Sequence, residues 1–410
     1  MCENVPEPPV QKKREPQQSR QYPDKDQEVD MELYIHIPFC IRKCNYCDFL
    51  SFPAGEETIE TYCRALCEEI RRTGEAVHKR TVGPADGIST IFVGGGTPSV
   101  LSPMQIRRLF ACIKDNFTLA PDAEISMEAN PGTLDGEKLS ACRETGVNRL
   151  SIGLQSADDG LLRTLGRIHT WEQFQENYAA ARRAGFTNIN IDLMSALPGQ
   201  SLDNYVDTLE KVTALEPEHI SSYSLILEEG TPFFASEEIR RQLPDEGVDR
   251  EMYEKTKAIL HERGYERYEI SNYAKEGFAC RHNLGYWDGV PYLGLGLGAS
   301  SYYKGARFAN ETSMEKYLKE PFVPFRERQD YFVTTKKDRM EDYMIFGLRK
   351  MAGVFLSRFE KEFGVSMEEV YGEVIRRYVD LHLLEVKGDA VRLTDAGIDV
   401  SNRIFEEFLL

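Results

Sequence analysis

Three cysteines lie within eight residues, in the run Cys40-Ile-Arg-Lys-Cys44-Asn-Tyr-Cys47. Thiolates are the usual ligands of iron–sulfur clusters, and a four-iron cluster is normally held by four of them. Three thiolates would bind three of the irons and leave the fourth open, either to a substrate or to a partner group from elsewhere in the chain. The spacing therefore predicts a [4Fe–4S] cluster held by Cys40, Cys44 and Cys47.

The other cysteines do not share this spacing. Cys63 and Cys67 lie four residues apart on a predicted helix, and Cys112 and Cys142 also fall in helical patterns. Buried thiols of this kind usually behave as small apolar packing residues. We therefore expect them to be unnecessary for the cluster.

The elements that must position the cysteine loop alternate along the chain. Amphipathic helical stretches at residues 57–78, 103–116, 171–184 and 202–215 separate β-like runs, and the runs are residues 32–39, 88–94, 124–128, 149–155, 188–193 and 220–227. Alternation of this kind predicts an α/β fold of parallel βα units. Six units would form a partial (β/α)6 barrel, with its chemistry at the carboxyl ends of the strands.

Polar or glycine-rich motifs follow several of these predicted strands. Gly94-Gly95-Gly96-Thr97-Pro98 follows the second, and the next three end in Glu128-Ala-Asn130-Pro131, Gly153-Leu-Gln155-Ser156 and Asn190-Ile-Asp192-Leu. A buried polar group needs a partner, so a series of them at successive strand ends favours one shared site. Glycines allow the backbone to approach a ligand closely, although a tight turn would explain them as well.

Composition and charge set the remaining expectations. Residues 1–30 are polar and rich in proline, so we predict a disordered tail. The net charge of −17 disfavours binding to nucleic acid or anionic membranes. The sequence contains neither a secretory leader pattern nor an apolar run of about 18 residues that could span a membrane. Clustered cysteines without disulfides suit a reducing compartment, so we expect a cytoplasmic protein.

The expected domains are the barrel at residues 31–275, a connecting segment at 276–333 and a C-terminal domain at 334–410. The last part reads as helices followed by a short hairpin, a pattern that is typical of a winged helix. DNA binding is disfavoured there, because Arg376 and Arg377 are its only adjacent basic pair and stand among acidic residues. The segment Gly294-Leu-Gly296-Leu-Gly298 is interpreted as a loop near the site.

The CxxxCxxC spacing after a first strand resembles the radical-SAM signature. From Tyr34 onward the chain resembles one branch, which contains oxygen-independent coproporphyrinogen III oxidase and the HemW-type heme chaperones. In this family the glycine-rich turn meets the amino group of S-adenosylmethionine (SAM). The resemblance places SAM contacts on Tyr34, Gly95, Gly96, Thr97, Glu128, Gln155, Arg167 and Asp192, with Ile226 lining the same pocket.

Two features choose between the two branches. Phe49 stands where the oxidase pattern has a fourth cysteine, and His282-Asn283-Leu284-Gly285-Tyr286-Trp287 resembles the HNxxYW motif of the chaperones. That motif has been linked with heme, so the resemblance offers His282 as a heme ligand, with Cys280 as a weaker candidate; a hydrogen-bonded structural histidine is the alternative. The expected function is binding of heme and its transfer to acceptor proteins.

Two enzymatic readings stay open. One is SAM-dependent oxidative decarboxylation of coproporphyrinogen III, and the other is a different radical-SAM reaction on an unknown substrate. The sequence does not specify the acceptor protein, the oligomeric state or whether SAM is cleaved.

Overall fold

The computed structural model describes residues 31–78 and 87–410. The tail predicted at residues 1–30 lies outside the described residues. Along the part that is described, no helix combines the length and the apolar character needed to cross a membrane.

The described residues form the following strands and helices, which alternate through the first half of the chain. The strands are β1 Met31–Ile37, β2 Phe39–Cys40, β3 Phe52–Pro53, β4 Ile88–Gly95, β5 Leu119–Ala129, β6 Arg149–Gln155, β7 Ile189–Ser195, β8 His219–Ser224, β9 Glu266–Arg267, β10 Asn272–Ala274, β11 Tyr292–Leu295, β12 Ser300–Tyr303, β13 Ala306–Ala309, β14 Gln329–Val333, β15 Val354–Phe355, β16 Leu384–Lys387 and β17 Ala390–Leu393. The helices are α1 Glu56–His78, α2 Pro103–Asn116, α3 Gly136–Glu144, α4 Asp159–Leu165, α5 Trp171–Arg183, α6 Leu202–Thr213, α7 Pro232–Ala235, α8 Glu237–Gln242, α9 Glu246–Glu262, α10 Arg281–Asp288, α11 Met314–Lys319, α12 Lys336–Gly347, α13 Leu356–Phe363, α14 Met367–Asp380, α15 Asp395–Asp399 and α16 Ser401–Glu406.

One large sheet organises the molecule. Its 12 strands run in the order β14-β13-β12-β11-β1-β4-β5-β6-β7-β8-β10-β9. All neighbours from β11 to β8 are parallel, whereas β12, β13 and β14 on one side and β10 and β9 on the other are antiparallel. Within the described residues the two outer strands do not pair with each other, so the barrel is open.

Alternation along each strand separates the core from the inner face of the sheet. In β1, Leu33, Ile35 and Ile37 are fully buried in the main core together with apolar residues of α1, such as Leu66. Successive strand residues point to opposite faces, so Tyr34 faces the other way, into a cavity. The same alternation in β7 sends Asp192 to that cavity. Helices therefore cover one face, and the polar side chains of the strands converge on the other.

Local sequence explains where the helices begin. Ser102 precedes α2, and its hydroxyl accepts from the Gln105 amide while the Gln105 side chain accepts from the Ser102 amide. This reciprocal pair is a capping box, and Pro103 at the first helical position strengthens it. Thr170 and Gln173 start α5 in the same way.

The α/β prediction is confirmed. Each of the six predicted strands is present, and the six are parallel to one another, although β5 begins at Leu119, earlier than the predicted residue 124. The prediction for Gly294–Gly298 is wrong in part. Gly294 belongs to strand β11, which pairs in parallel with β1. Residues 276–333, expected to connect two domains, also add β12, β13 and β14 to the large sheet.

The C-terminal region is a helical unit with its own core and a small sheet in the order β15-β17-β16. Helix α12, strand β15, helices α13 and α14 and the β16–β17 hairpin follow one another as in a winged helix. Backbone contacts join this unit to the rest of the chain, including a bridge between Glu269 and Lys350 and a bond from the Met351 amide to the Tyr268 carbonyl.

Candidate functional site

The cysteine loop begins at the end of β2 and is tied to the end of α4. Asn45, in the middle of the loop, donates its amide to the Leu165 carbonyl at 3.0 Å and its side-chain amide to the Thr164 carbonyl at 2.9 Å. Gly166 follows with a positive φ of 77°. A Cβ on Gly166 would lie 3.2 Å from the Asn45 side chain. Glycine is therefore favoured where α4 meets the loop, and the loop is held in one position.

Two side-chain donors reach two of the three sulfurs, one that follows strand β4 and one that follows helix α4. Thr97 Oγ1 lies 3.4 Å from Cys40 Sγ, and Arg167 Nη1 lies 3.7 Å from Cys44 Sγ. Asn130 joins these two donors: its Nδ2 donates to Thr97 Oγ1 at 2.7 Å, and its Oδ1 accepts from Arg167 Nη2 at 2.6 Å. Hydrogen bonds to thiolate sulfur stabilise its negative charge and tune a bound cluster.

This donor set fits a four-iron cluster. Cys40, Cys44 and Cys47 are free thiols that are partly exposed on one loop. Across residues 31–78 and 87–410 no three His, Cys, Asp or Glu side chains converge closely enough to hold a single metal ion. A cluster does not need such convergence, because each thiolate binds a different iron.

The glycine-rich turn packs directly against β1 and β2. Gly95 has a φ of 112°, and a Cβ there would lie 2.5 Å from the His36 ring. A Cβ on Gly96 would lie 2.7 Å from the Phe39 carbonyl oxygen. The Gly96 amide donates to the Ile37 carbonyl at 2.8 Å, and the Gly95 amide donates to Glu128 Oε2 at 3.1 Å. Close packing thus explains both glycines and joins the turn to the acidic end of β5.

A cavity of about 200 Å³ lies on the inner face of the sheet and is called the inner-face cavity below. Tyr34, Glu128 and Asp192 line it together with His282. Burial and the nearby Asp192 carboxyl raise the pKa of Glu128 to about 8. Burial also raises the pKa of Asp192, although Ser151 and Asn190 donate to it at 3.0 and 2.8 Å. Two carboxyl groups therefore share a site in which one can carry a proton at neutral pH.

Arg149 also lines this cavity and is a functional candidate that sequence reasoning missed. It is the first residue of β6, is only 1% exposed and lies near the carboxyl groups of Glu124 and Asp192. A buried guanidinium among acidic groups balances their charge. A charged residue opening an otherwise apolar strand, Arg149-Leu-Ser-Ile-Gly, was the available signal.

The other predicted SAM contacts divide into two groups. Gly95, Gly96, Thr97 and Arg167 lie beside the cysteine loop. Gln155, the last residue of β6, lies near Arg167, because a Cβ on Gly153 would be 3.0 Å from Gln155 Nε2 and 3.1 Å from Arg167 Nη2. Ile226 follows strand β8, is 69% exposed and is not among the residues that line the inner-face cavity; its contact with SAM stays a prediction.

His282 is fully engaged inside the protein. Its Nδ1 lies 2.6 Å from Thr90 Oγ1, its Nε2 lies 3.0 Å from the Tyr286 hydroxyl, and its ring stacks on Phe92 at 5.3 Å. Burial, reinforced by Arg149, lowers the pKa of His282 to about 3, so the ring is neutral. Ligation of iron by His282 would require the ring to leave one of these two hydrogen bonds.

Helix α10, which carries this histidine, is fixed at its start and in its middle. Glu124 accepts from the backbone amides of Arg281 at 3.0 Å and His282 at 3.3 Å, and Cys280 Sγ lies 3.5 Å from the same carboxylate. A carboxylate at a helix N-terminus satisfies free amides and stabilises the helix dipole. Gly285 packs against Glu32, so closely that a Cβ would lie 1.9 Å from Glu32 Oε1.

Helix α10 separates two cavities. His282 and Asn283 face the inner-face cavity, and Trp287 and Asp288 face a second cavity of about 470 Å³ between the β11–β14 strands and the C-terminal unit. We call the second one the interdomain cavity. Tyr286 lines both. The six-residue motif therefore forms the wall between them.

The chain matches known families along most of its length. The Radical SAM superfamily matches residues 34–212, and the HemN C-terminal domain matches residues 334–400. Membership of the superfamily implies a [4Fe–4S] cluster and SAM. In structure, the chain is similar to the Escherichia coli radical SAM enzyme coproporphyrinogen III oxidase (HemN), with a TM-score of 0.81 and 24% identity over 93% of this chain and 90% of that one. At this identity the likeness shows the fold alone.

Sequence relatives are more specific. The chain is 39% identical over 380 residues to the heme chaperone HemW of Lactococcus lactis, covering 92% of this chain and 97% of the relative. It is 38% identical over 383 residues to the heme chaperone HemW of Bacillus subtilis, covering 92% and 98%. The Escherichia coli heme chaperone HemW is 39% identical over 66% of this chain and 69% of its own length. The chain therefore belongs to the HemW family within the radical SAM superfamily.

Proposed function

We propose that this protein binds heme and transfers it to acceptor proteins. The observation that carries the proposal is similarity to HemW heme chaperones along nearly the whole chain. Two local features support it. Phe49 stands where the oxidase pattern has a cysteine, and its side chain is 63% exposed. The helix that carries the HNxxYW motif also forms a wall of a cavity large enough for a small molecule.

The proposal includes a cluster on Cys40, Cys44 and Cys47 and SAM beside it. When bound, the cluster supplies an open iron for SAM and an electron for reductive chemistry. Thr97 and Arg167 donate hydrogen bonds to the sulfurs of Cys40 and Cys44 and so stabilise the negative charge of these thiolates. Glu128 and Asp192 offer carboxylates to a cationic ligand, while Arg149 balances whichever carboxylate is ionised. Tyr34 lines the same cavity.

For His282 we propose a positioning role. Its hydrogen bond to Thr90 and its stacking on Phe92 hold α10 against β4, and its hydrogen bond to the Tyr286 hydroxyl fixes that ring within α10, so the wall between the cavities keeps its place. Cys280 is fully buried against Glu124, which makes it a poor ligand for an exchangeable heme.

A direct comparison of two substrates tests the function. Cluster-reconstituted protein is incubated with hemin, and separately with coproporphyrinogen III, SAM and a reductant. We expect a saturable Soret band with hemin and no SAM-dependent formation of protoporphyrinogen IX. SAM-dependent protoporphyrinogen IX formation without hemin binding would replace the proposal by the oxidase.

We also propose a cytoplasmic location. Its support is the loop of three thiols, which must stay reduced to bind iron and does so in a reducing compartment. Fractionation of the source cells with an antibody against the chain tests it, and recovery in a secreted or membrane fraction would contradict it.

A further inference from the structure

The interdomain cavity has flat apolar walls. Elements from both sides contribute aromatic side chains to it, among them Trp287, Tyr302, Phe332, Tyr343, Phe346 and Phe355. Its volume of about 470 Å³ lies within the range of about 300–1,000 Å³ that is common for small-molecule sites. Phe332 on the outer strand β14 is 45% exposed and marks the mouth. Several aromatic side chains around one cavity suit a large planar ligand.

Cationic groups stand among these rings. Lys350 and Arg358 both pair with the single carboxylate of Asp288, with Arg358 Nη1 at 3.2 Å from it. Arg339 lines the same cavity from α12. The Arg358 guanidinium lies 5.6 Å from the centre of the Tyr343 ring, so charge and aromatic wall are adjacent. Glu362 also lines this end and faces Arg358 and Arg339, so three cations stand against two carboxyl groups, and a ligand carboxylate would pair with Arg339 or take the place of Asp288.

Imidazole and sulfur ligands for iron are missing from the same walls, among the residues that the structure describes. Within the described part of the chain, no histidine, cysteine or methionine lines the interdomain cavity, and His282 lies on the other side of α10. A ligand held here would be recognised by its ring and its carboxylates, with the iron left without an imidazole or a sulfur.

We propose that the interdomain cavity is the site that receives the heme, seating the porphyrin between the aromatic walls and its propionates on Arg339, Arg358 and Lys350. The proposal rests on the proposed function, because it names where that ligand binds. It also explains release to an acceptor, since no bond from imidazole or sulfur to the iron would have to break.

Binding of three porphyrins to the wild-type, cluster-reconstituted protein forms the first arm of the test. The probes are hemin, metal-free protoporphyrin IX and protoporphyrin IX dimethyl ester. We expect the metal-free ring to bind within about threefold of hemin. The diester should bind at least about tenfold more weakly than the free acid, the equivalent of one lost charge-assisted hydrogen bond.

Variants of the protein form the second arm. Ala309 lines the cavity on the same face of β13 as Arg307, so Ala309→Trp should fill it and weaken hemin binding about tenfold or more. Ala214→Trp, at an exposed position after α6, is the matched control. Arg339→Ala should weaken the binding of the free-acid porphyrins but not that of the diester. Arg376→Ala, on the exposed face of α14, should change the binding of neither.

The outcomes separate the two proposals. Absence of saturable hemin binding to the wild type would refute the proposed function and this site together. Saturable binding that is unaffected by Ala309→Trp and by esterification, but is lost with the metal or in His282→Ala, would refute this site alone.

Discussion

Replacing Gly285 by alanine should loosen helix α10 and change both cavities. The added Cβ would lie 1.9 Å from Glu32 Oε1, whereas ordinary contact begins at about 3.4 Å. The helix or the carboxyl must therefore move by about 1.5 Å. Glu32 is 2% exposed on β1, so its side chain has little space into which it can turn.

The expected cost follows from two opposing effects. Overpacking of a filled interior typically costs about 1–3 kcal/mol, and alanine returns up to about 1 kcal/mol through its higher helix propensity. We expect Gly285→Ala to lower the free energy of unfolding by about 1–2 kcal/mol. Adding Glu32→Ala should restore the stability lost in Gly285→Ala, because both changes act on the same contact. We expect a coupling energy of about 1–2 kcal/mol between the two substitutions. Glu32→Gln has the same volume and should not rescue it.

Urea unfolding measures this effect, with Trp287 fluorescence reporting on the helix itself in a Trp171→Phe background. Gly136→Ala is the control: Gly136 is the first residue of α3, and a Cβ there meets nothing within 4 Å. This control should be neutral or slightly stabilising. The reasoning fails if Gly285→Ala matches Gly136→Ala, or if the effects of Gly285→Ala and Glu32→Ala simply add.

Three further predictions concern the site. Alanine variants of the three loop cysteines, Cys40, Cys44 and Cys47, should lose cluster iron and sulfide after anaerobic reconstitution. The Cys142→Ala variant should retain both. Because burial raises the pKa of Glu128 to about 8, this carboxyl is mostly protonated at pH 6 and must release its proton to bind a cation. SAM affinity measured by calorimetry should therefore rise between about pH 6 and pH 9, by at most about tenfold per pH unit, and Glu128→Gln should flatten the profile. His282→Ala should cost about 2–4 kcal/mol of stability through the lost hydrogen bonds and packing, yet leave the position of the hemin Soret band unchanged; a shifted band would instead support ligation by His282.

Local patterns explain why the barrel could be predicted. Each βα unit carries its own signals, such as the capping box at Ser102 and the alternation around Asp192, and these do not depend on distant residues. Strand β6 and helix α2 have the predicted bounds. The cysteine loop was readable for the same reason, since three ligands fall within eight residues.

Long-range pairing explains what could not be predicted. Strand β11 has four residues and pairs with β1, more than 250 residues earlier, so Gly294 looked like part of a glycine-rich loop. The partners of His282 are also distant in sequence: Thr90 on β4 lies 192 residues earlier and Glu124 on β5 lies 158 residues earlier.

The wall between the two cavities has a thermodynamic consequence. Tyr286 contributes its ring to both, and its hydroxyl is bonded to His282. A ligand that moves this ring on one side changes the binding free energy of a ligand on the other. Linkage makes the effect reciprocal: if occupancy of the inner-face cavity changes porphyrin affinity by some factor, porphyrin changes the affinity of the inner-face ligand by the same factor. Titration of either ligand in the presence and absence of the other therefore reports one coupling energy twice.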